Sequence, residues 1–354
     1  MSVSSEDTNA KVCRKCHAGY GFAFCREPEC PVRYARAGSS SAAGTGLKAG
    51  VRVLVLGNQK GGSGKSTVAM HVIVGLMKRG LSVASIDLDA GQGTLSRYVQ
   101  NRISFSEKSG YSLDVPEHRS FHGSDAPVRT DAERKDRIDL GAVLDELSYH
   151  DFIVIDTPGS ASPLARLGLT VADTLITPLN DSFLDLDLLG QVDAEGRKFM
   201  TLGSYGQSVL NERHRRKMSG QDPLDWVVLR NRLSHIDARN KRQVADLLAS
   251  LGTRLEFRSV GGFGERVVFR ELFPKGLTLL DLRDEAVEAN LSMSHVAARQ
   301  EIRSILNAVA PPAEQNQSDG GAANSKPQKG TGLWFTGLYR KYSDRRHTLK
   351  DKAS

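Results

Sequence analysis

The stretch Gly57-Asn58-Gln59-Lys60-Gly61-Gly62-Ser63-Gly64-Lys65-Ser66-Thr67 constrains this chain more than any other. It follows the apolar run Val51–Leu56. It opens the segment 65–79, where Val68, Val72 and Leu76 recur at helical spacing beside Ala69, Ile73 and Met77, before Gly80. A buried strand, a glycine-rich turn and a helix, in that order, aim several backbone N–H groups at one point, where the positive end of the helix dipole adds its field. Such a site selects an anion. With Lys65 to reach the β- and γ-phosphates and the Ser66 hydroxyl to ligate Mg²⁺, the expected anion is a nucleotide polyphosphate. Asn58, Lys60, Gly61, Gly62, Gly64, Lys65, Ser66 and Thr67 are therefore the candidate nucleotide-binding residues. The strict pattern has glycine where this chain has Gln59, and a second lysine, Lys60, precedes the glycine pair.

Further strand candidates are 81–86, 152–155, 174–177, 226–229 and 277–282, nearly continuous apolar runs of the kind a parallel sheet covers on both faces. A closing helix is expected over 296–309, with Ile302, Ile305, Leu306 and Val309 on its apolar side. Strands alternating with helices predict a doubly wound, mostly parallel α/β sheet. Gly-, Ala- and Ser-rich residues 37–50 and Pro- and Gly-containing residues 311–332 read as flexible linkers. They divide the chain into a Cys-rich head (1–36), the α/β body (51–310) and a basic aromatic tail (333–354), so the body carries flexible N- and C-terminal extensions. No run is long and apolar enough for a membrane span, and the polar start lacks a signal-peptide core. The expectation is a cytoplasmic protein.

Carboxylates cluster after two of the expected strands, in Asp87-Leu88-Asp89 and in Asp156-Thr157-Pro158-Gly159. The C-terminal ends of parallel strands face the ligand crevice. A lysine followed by Gly-Gly-x-Gly-Lys-Ser resembles the deviant Walker A loop of the ParA/MinD superfamily of ATPases. That resemblance implies that Lys60 crosses a dimer interface to the partner's nucleotide. It implies that Asp156 is the Walker B acid at Mg²⁺, that Asp87 supports the metal's water shell, and that Asp89 positions the attacking water. Lys60, Lys65 and Asp89 are thus the candidate catalytic residues, and Ser66, Asp87 and Asp156 the candidate metal residues. No Asn-Lys-x-Asp run of guanine-reading proteins occurs, and Asn231 stands where the superfamily contacts adenine, so ATP is the expected nucleotide.

Three longer blocks narrow the resemblance to the division-positioning MipZ branch. They are Thr177–Phe183 (TPLNDSF), Asp225–Arg232 (DWVVLRNR), and Glu271–Pro274 leading to Gly276–Leu282 (GLTLLDL). The branch commonly has an acid at the position of Gln59, a detail this chain shares instead with ParA. The likeness implies a switch that is monomeric when empty or ADP-bound, contacts the centromere-binding protein ParB, and dimerises with ATP. The ATP homodimer binds DNA non-specifically, associates with the nucleoid, and restrains FtsZ assembly. A ParA-type partition ATPase is the alternative within the class.

Charge supports one of these elements independently. The net charge is +7, and the neutral body contains one basic stretch, residues 213–275, with 14 Lys/Arg against 7 Asp/Glu. Arg239, Lys241, Arg242, Arg254, Arg258 and Arg266 are its candidate DNA contacts, suited to backbone phosphates rather than bases. The four cysteines, Cys13, Cys16, Cys25 and Cys30, all lie in the head in C-x₂-C and C-x₄-C spacing. A Cys₄ Zn²⁺ site, free thiols and an Fe–S cluster are the open readings, the last making the chain an ATP-gated metal carrier. Cys13 to His17 also fits the c-haem attachment spacing, which nothing else in the chain supports. In the tail, Trp334, Phe335, Leu338, Tyr339 and Tyr342 precede basic residues and could form an amphipathic end that docks a partner or a membrane surface.

Overall fold

The computed structural model describes residues 32–34, 50–193, 199–231, 238–264, 267–283 and 293–311. The head cysteines, residues 37–49 and 312–332 of the linkers, and the aromatic tail therefore lie outside the described residues. In chain order the strands are β1 (Val32–Tyr34), β2 (Arg52–Leu56), β3 (Val83–Asp87), β4 (Leu113–Val115), β5 (Glu117–Ser120), β6 (Phe152–Asp156), β7 (Thr174–Asn180), β8 (Gly190–Val192), β9 (Phe199–Leu202), β10 (Asp225–Asn231) and β11 (Arg258–Gly261). The helices are α1 (Lys65–Met77), α2 (Thr94–Ser109), α3 (Arg129–Glu146), α4 (Pro163–Val171), α5 (Phe183–Leu186), α6 (Ser204–Met218), α7 (Ala238–Leu255), α8 (Val268–Leu272) and α9 (Met293–Val309).

Seven strands form the central sheet in the order β11-β10-β7-β2-β6-β3-β5, and every pairing is parallel. This is the doubly wound α/β sheet read from the sequence. β1 pairs with β4, and β8 with β9, in two small side ribbons. Alternation along β2 feeds two cores: Leu54 and Leu56 point to the face covered by α1, α2 and α9, while Val53 and Val55 point to the face covered by α3, α4, α6 and α7. Because both faces are covered, β3 and β6 are buried at every residue, and β6 is apolar up to its final Asp156.

The strand order places the chemistry. The phosphate loop leaves β2 at the middle of the sheet. On one side stands β6, whose last residue Asp156 is in register with Asp87 at the end of β3. On the other side stand β7 and β10, with Asn180 and Asn231 in register.

The expected strand over 277–282 is corrected. Gly276 turns the chain at φ 63°, and a Cβ there would stand 2.0 Å from the Arg102 amide nitrogen. The Asp281 carboxylate then accepts hydrogen bonds from the Thr278 amide and hydroxyl, each 2.7 Å, closing a tight turn into a short 3₁₀ segment, Asp281–Arg283. Arg102, fully buried on α2, meets the same carboxylate through two nitrogens at 2.8 and 2.9 Å. That cation and the local bonds hold Asp281 down to about 2 against the opposing effect of burial. Leu277, Leu279 and Leu282 still reach the core. The run was apolar because it is buried, and its backbone is satisfied by side chains: Tyr98 donates to Leu277 O and Arg299 to Leu279 O. Conversely, β5 and β11 had no apolar run to announce them, because both are edge strands with half-exposed residues.

His71 ties α1 to that turn. Its Nδ1–H donates to Thr67 O at 2.8 Å, and its Nε2 accepts from the Leu279 amide at 3.4 Å. Both bonds are made by a neutral ring, and burial holds its pKa down to about 4. The unfolded chain therefore takes up this proton first, at about pH 6.5. Stability is intact above that pH and falls as pH drops from 6.5 toward 4, by up to roughly 3 kcal/mol from this group. Urea unfolding at pH 7, 5.5 and 4 measures the loss, and His71→Gln, which does not titrate, should flatten the slope by about that amount.

Candidate functional site

Lys65 sits at the centre of the site. It is the first residue of α1 and is only 7% exposed, and its ammonium donates to Lys60 O at 3.3 Å. Burial pushes its pKa below the ordinary lysine value, while the nearby Asp156 and Asp89 carboxylates pull it back up. Gly64, just before the helix, has φ 88°, and a Cβ there would lie 2.3 Å from Asn231 Nδ2. The left-handed turn and the close approach both require glycine. That same Asn231 amide donates to Ser63 O at 2.7 Å, so this residue, expected at the adenine, braces the loop from the end of β10.

The loop's entry is fixed as firmly. Asn58 is buried. Its Nδ2 donates to Pro178 O at 2.6 Å, and its Oδ1 accepts from the Lys60 amide at 2.9 Å. Gly61, Gly62, Ser66 and Thr67 lie at least partly open to solvent, with Ser66 and Thr67 in the first turn of α1. Beyond the loop, a Cβ on Gly159 would stand 3.0 Å from Gly61 Cα, so the Asp156–Gly159 segment lies against it.

The two loop lysines point in different directions. Whereas Lys65 is turned inward, the Lys60 ammonium, 42% exposed, pairs with the Asp185 carboxylate. Asp185 is itself buried, and its Oδ2 accepts from the Asn180 amide at 2.9 Å. Sequence reading missed Asp185. Its signal was Ser182-Phe183-Leu184-Asp185, a capping-box spacing, and Ser182 does cap α5 by accepting from the Asp185 amide.

The three expected carboxylates converge here. Asp156 is 2% exposed, accepts a hydrogen bond from the Ser66 hydroxyl, and has an Oδ1 with no hydrogen-bond partner among the described residues. Burial lifts its pKa to about 7 and the charges of Asp87 and Asp89 add to that, while Ser66 and Lys65 oppose it. A buried, uncompensated carboxylate oxygen beside a loop hydroxyl is a hard oxygen site of the kind Mg²⁺ takes. Asp89 is half-buried, and burial and Asp87 raise its pKa. Asp87 differs from expectation in one respect. Both its oxygens already accept hydrogen bonds, Oδ1 from the Asp89 amide at 3.0 Å and Oδ2 from the Ser96 amide and hydroxyl at 2.9 Å each. Among the described residues no group of three or more His, Cys, Asp or Glu forms a ready metal cluster.

Among the described residues, the basic candidates do not form one patch. Arg242 is exposed near the start of α7, on the same end of the sheet as the phosphate loop. Arg239 and Lys241 lie on the same helix, with side chains outside the described set, and Arg266 lies outside the described residues. Arg254 closes α7 at the opposite end, over the Phe199 ring. Arg258, also at that end, bonds to Asp225 through two nitrogens at 3.1 and 2.7 Å and to Ala308 O. Arg213 donates to Leu224, Leu255 and Glu256 carbonyls, and Arg216 to those of Thr170 and Ala172. Much of the basic stretch thus ties helices to strands.

Residues 52–313 match a known family model, described as ATPase MipZ. The chain belongs to this family. Outside it, the chain is similar to the chromosome-partitioning ATPase Soj of Thermus thermophilus, 29% identical over 148 residues, spanning 40% of this chain and 59% of that protein. It is also similar to the chromosome partitioning protein ParA of Myxococcus xanthus, 26% identical over 160 residues, spanning 40% and 56%. The chain thus spans less than two thirds of the length of these curated relatives. Among solved structures, the complex of a Cyanothece McdA variant with ATP has a TM-score of 0.52 at 15% identity, covering 75% of this chain and 98% of that one, a likeness of fold. No helix among the described residues is long and apolar enough to cross a membrane.

The raised Asp156 has a measurable consequence. Its folded-state pKa, about 7, lies above the usual carboxylate value of ~3.9, so the protein without nucleotide holds an extra proton and loses stability as pH rises through that interval. Asp156→Asn should therefore be more stable than the parent at pH 8, by on the order of 2–4 kcal/mol in denaturant unfolding.

Proposed function

We propose that this chain is an ATP-hydrolysing dimerisation switch for placement of the division site. The supporting observation is the divergence of the two loop lysines: one buried beside the carboxylates, the other half-exposed on the rim. An ammonium on the rim is placed to meet a second subunit, whereas a cation that served only its own nucleotide would turn inward. On this reading Lys65 and the loop amides hold the triphosphate, and Lys60 leaves Asp185 to reach the triphosphate of a partner subunit.

Ser66 and Asp156 would hold Mg²⁺, which would supply positive charge to offset that of the phosphates. Asp89 orients a water in line with the γ-phosphorus. The water oxygen forms the new bond, the bond to the β–γ bridging oxygen breaks, and the water proton passes to the phosphate product. Positioning and charge complementarity carry most of such a reaction, so no strong base is needed. Asn231, already on the loop, is the proposed adenine contact.

The ATP homodimer binds DNA phosphates through the start of α7, with Arg239, Lys241 and Arg242. Pairing two weak sites raises avidity by ~10²–10⁴ without new contacts. That couples nucleotide state to the nucleoid. The empty or ADP-bound monomer contacts ParB, and the dimer restrains FtsZ. A ParA-type partition role is the second reading, favoured by the likeness to Soj and ParA.

Light scattering of FtsZ with this protein and ATP separates the two. Shortened or dissolved polymers support division placement, and unaffected polymers support partition. Lys60→Ala should bind ATP yet elute as a monomer; ATP-dependent dimers of this variant would refute the switch. Asp89→Ala should accumulate as a DNA-bound dimer with turnover reduced about 10²-fold or more. Replacing Arg239 and Arg242 together should weaken DNA binding and lower its salt slope by about 2 while hydrolysis persists.

A further inference from the structure

We propose that Ser96 and His118 are positioning residues for the hydrolysis described above, and the inference rests on that reading. They lock the Asp87 carboxylate as a clamp across residues 88–93 and so set where Asp89 stands.

The clamp follows from an uncapped helix. α2 begins after Gly93, which has φ 56° and gives no side-chain cap. The first-turn N–H groups of a helix need outside acceptors. Asp87, fully buried at the end of β3, supplies one: its Oδ2 accepts from both the amide and the hydroxyl of Ser96. Its Oδ1 accepts from the Asp89 amide, and Asp89 O in turn accepts from the Gln92 and Gly93 amides at 2.9 and 2.7 Å. One carboxylate thereby ties the beginning of the segment to its end.

The chain behind Ser96 has a fixed direction. Its single hydroxyl proton is committed to Asp87, so the oxygen accepts from its other neighbours. These are His118 Nε2 at 2.9 Å and the Ser120 hydroxyl at 3.0 Å, both on edge strand β5. With Nε2 donating, His118 Nδ1 accepts from the Ser85 hydroxyl at 2.9 Å. Ser85 therefore donates to His118, His118 to Ser96, and Ser96 to Asp87. Parallel pairing of β3 with β5 puts Ser85 opposite His118 and Asp87 opposite Ser120, which aligns the four groups.

Nothing in this chain touches the phosphate loop. Its effect on the reaction comes only through the position of Asp89, where a shift of about 1 Å can cost a hundredfold in rate. ATP binding rests on residues 57–67 and should be spared.

The test measures kcat and the equilibrium affinity for a fluorescent ATP analogue in Ser96→Ala, His118→Leu and His118→Gln, the last keeping a donor in place of Nε2. Turnover should fall about tenfold or more in Ser96→Ala and about three- to tenfold in His118→Leu, and return to within about twofold in His118→Gln, with affinity within about twofold throughout. In parallel, hydrogen exchange over residues 87–97 of the nucleotide-free protein should be about tenfold faster in Ser96→Ala than in the parent, with α1 unchanged. Parental exchange in Ser96→Ala overturns the clamp whether or not the protein hydrolyses ATP. Turnover and affinity falling together, or His118→Gln no better than His118→Leu, overturns the positioning role. A parent without ATP turnover whose variants still differ in exchange overturns the hydrolysis reading and leaves the clamp standing.

Discussion

A buried ammonium facing a buried carboxylate is the interaction on which the rest of the structure is arranged. Lys65 and Asp156 are each under a tenth exposed, and burial works against the charged form of both. Neither would be tolerated alone in the buried middle of the sheet, since an isolated charge out of water costs several kcal/mol. Together, with Ser66 donating to the carboxylate and the Lys60 carbonyl accepting from the ammonium, they bring a buried cation and a buried carboxylate to one place, with Asp156 Oδ1 lacking a hydrogen-bond partner among the described residues.

The surrounding side chains keep that pair in place. Asn58 and Asn231 hold the loop from β7 and β10 through hydrogen bonds to backbone carbonyls. Asp87 holds the segment that carries Asp89. Asp185 occupies the second lysine at the rim. The braces involve β3, β7, β10 and α5, so the order of the site depends on the register of the sheet. That register is set by two cores burying both faces, and at its outer margin by the Arg102–Asp281 pair that fastens the segment after α8 onto α2.

The basic stretch shows how charge counted along a sequence misleads about surface. Arg213, Arg216 and Arg258 are structural: guanidinium groups reach backbone carbonyls at helix and strand ends, or neutralise Asp225. Their surplus over acidic residues is real, but their donors are spent. Arg242, near the start of α7, is one basic residue of the stretch whose side chain is exposed.

The phosphate loop, the parallel sheet and the convergence of Asp87, Asp89 and Asp156 were legible in the sequence because local physics dictates them. Glycines fix a turn, helical spacing fixes α1, and a strand buried on both faces must be apolar throughout. What Leu277–Leu282 does, where the edge strands lie, and that Lys60 meets Asp185, Ser96 meets Asp87 and His118 meets Ser96 were decided by the tertiary structure. In each of these the partner is distant in sequence, from 9 residues between Asp87 and Ser96 to 208 between His71 and Leu279. Apolar patterning records that a residue is buried, not which neighbour it is buried against. A hydrogen bond between side chains on different strands exists only once the strands have been ordered and aligned.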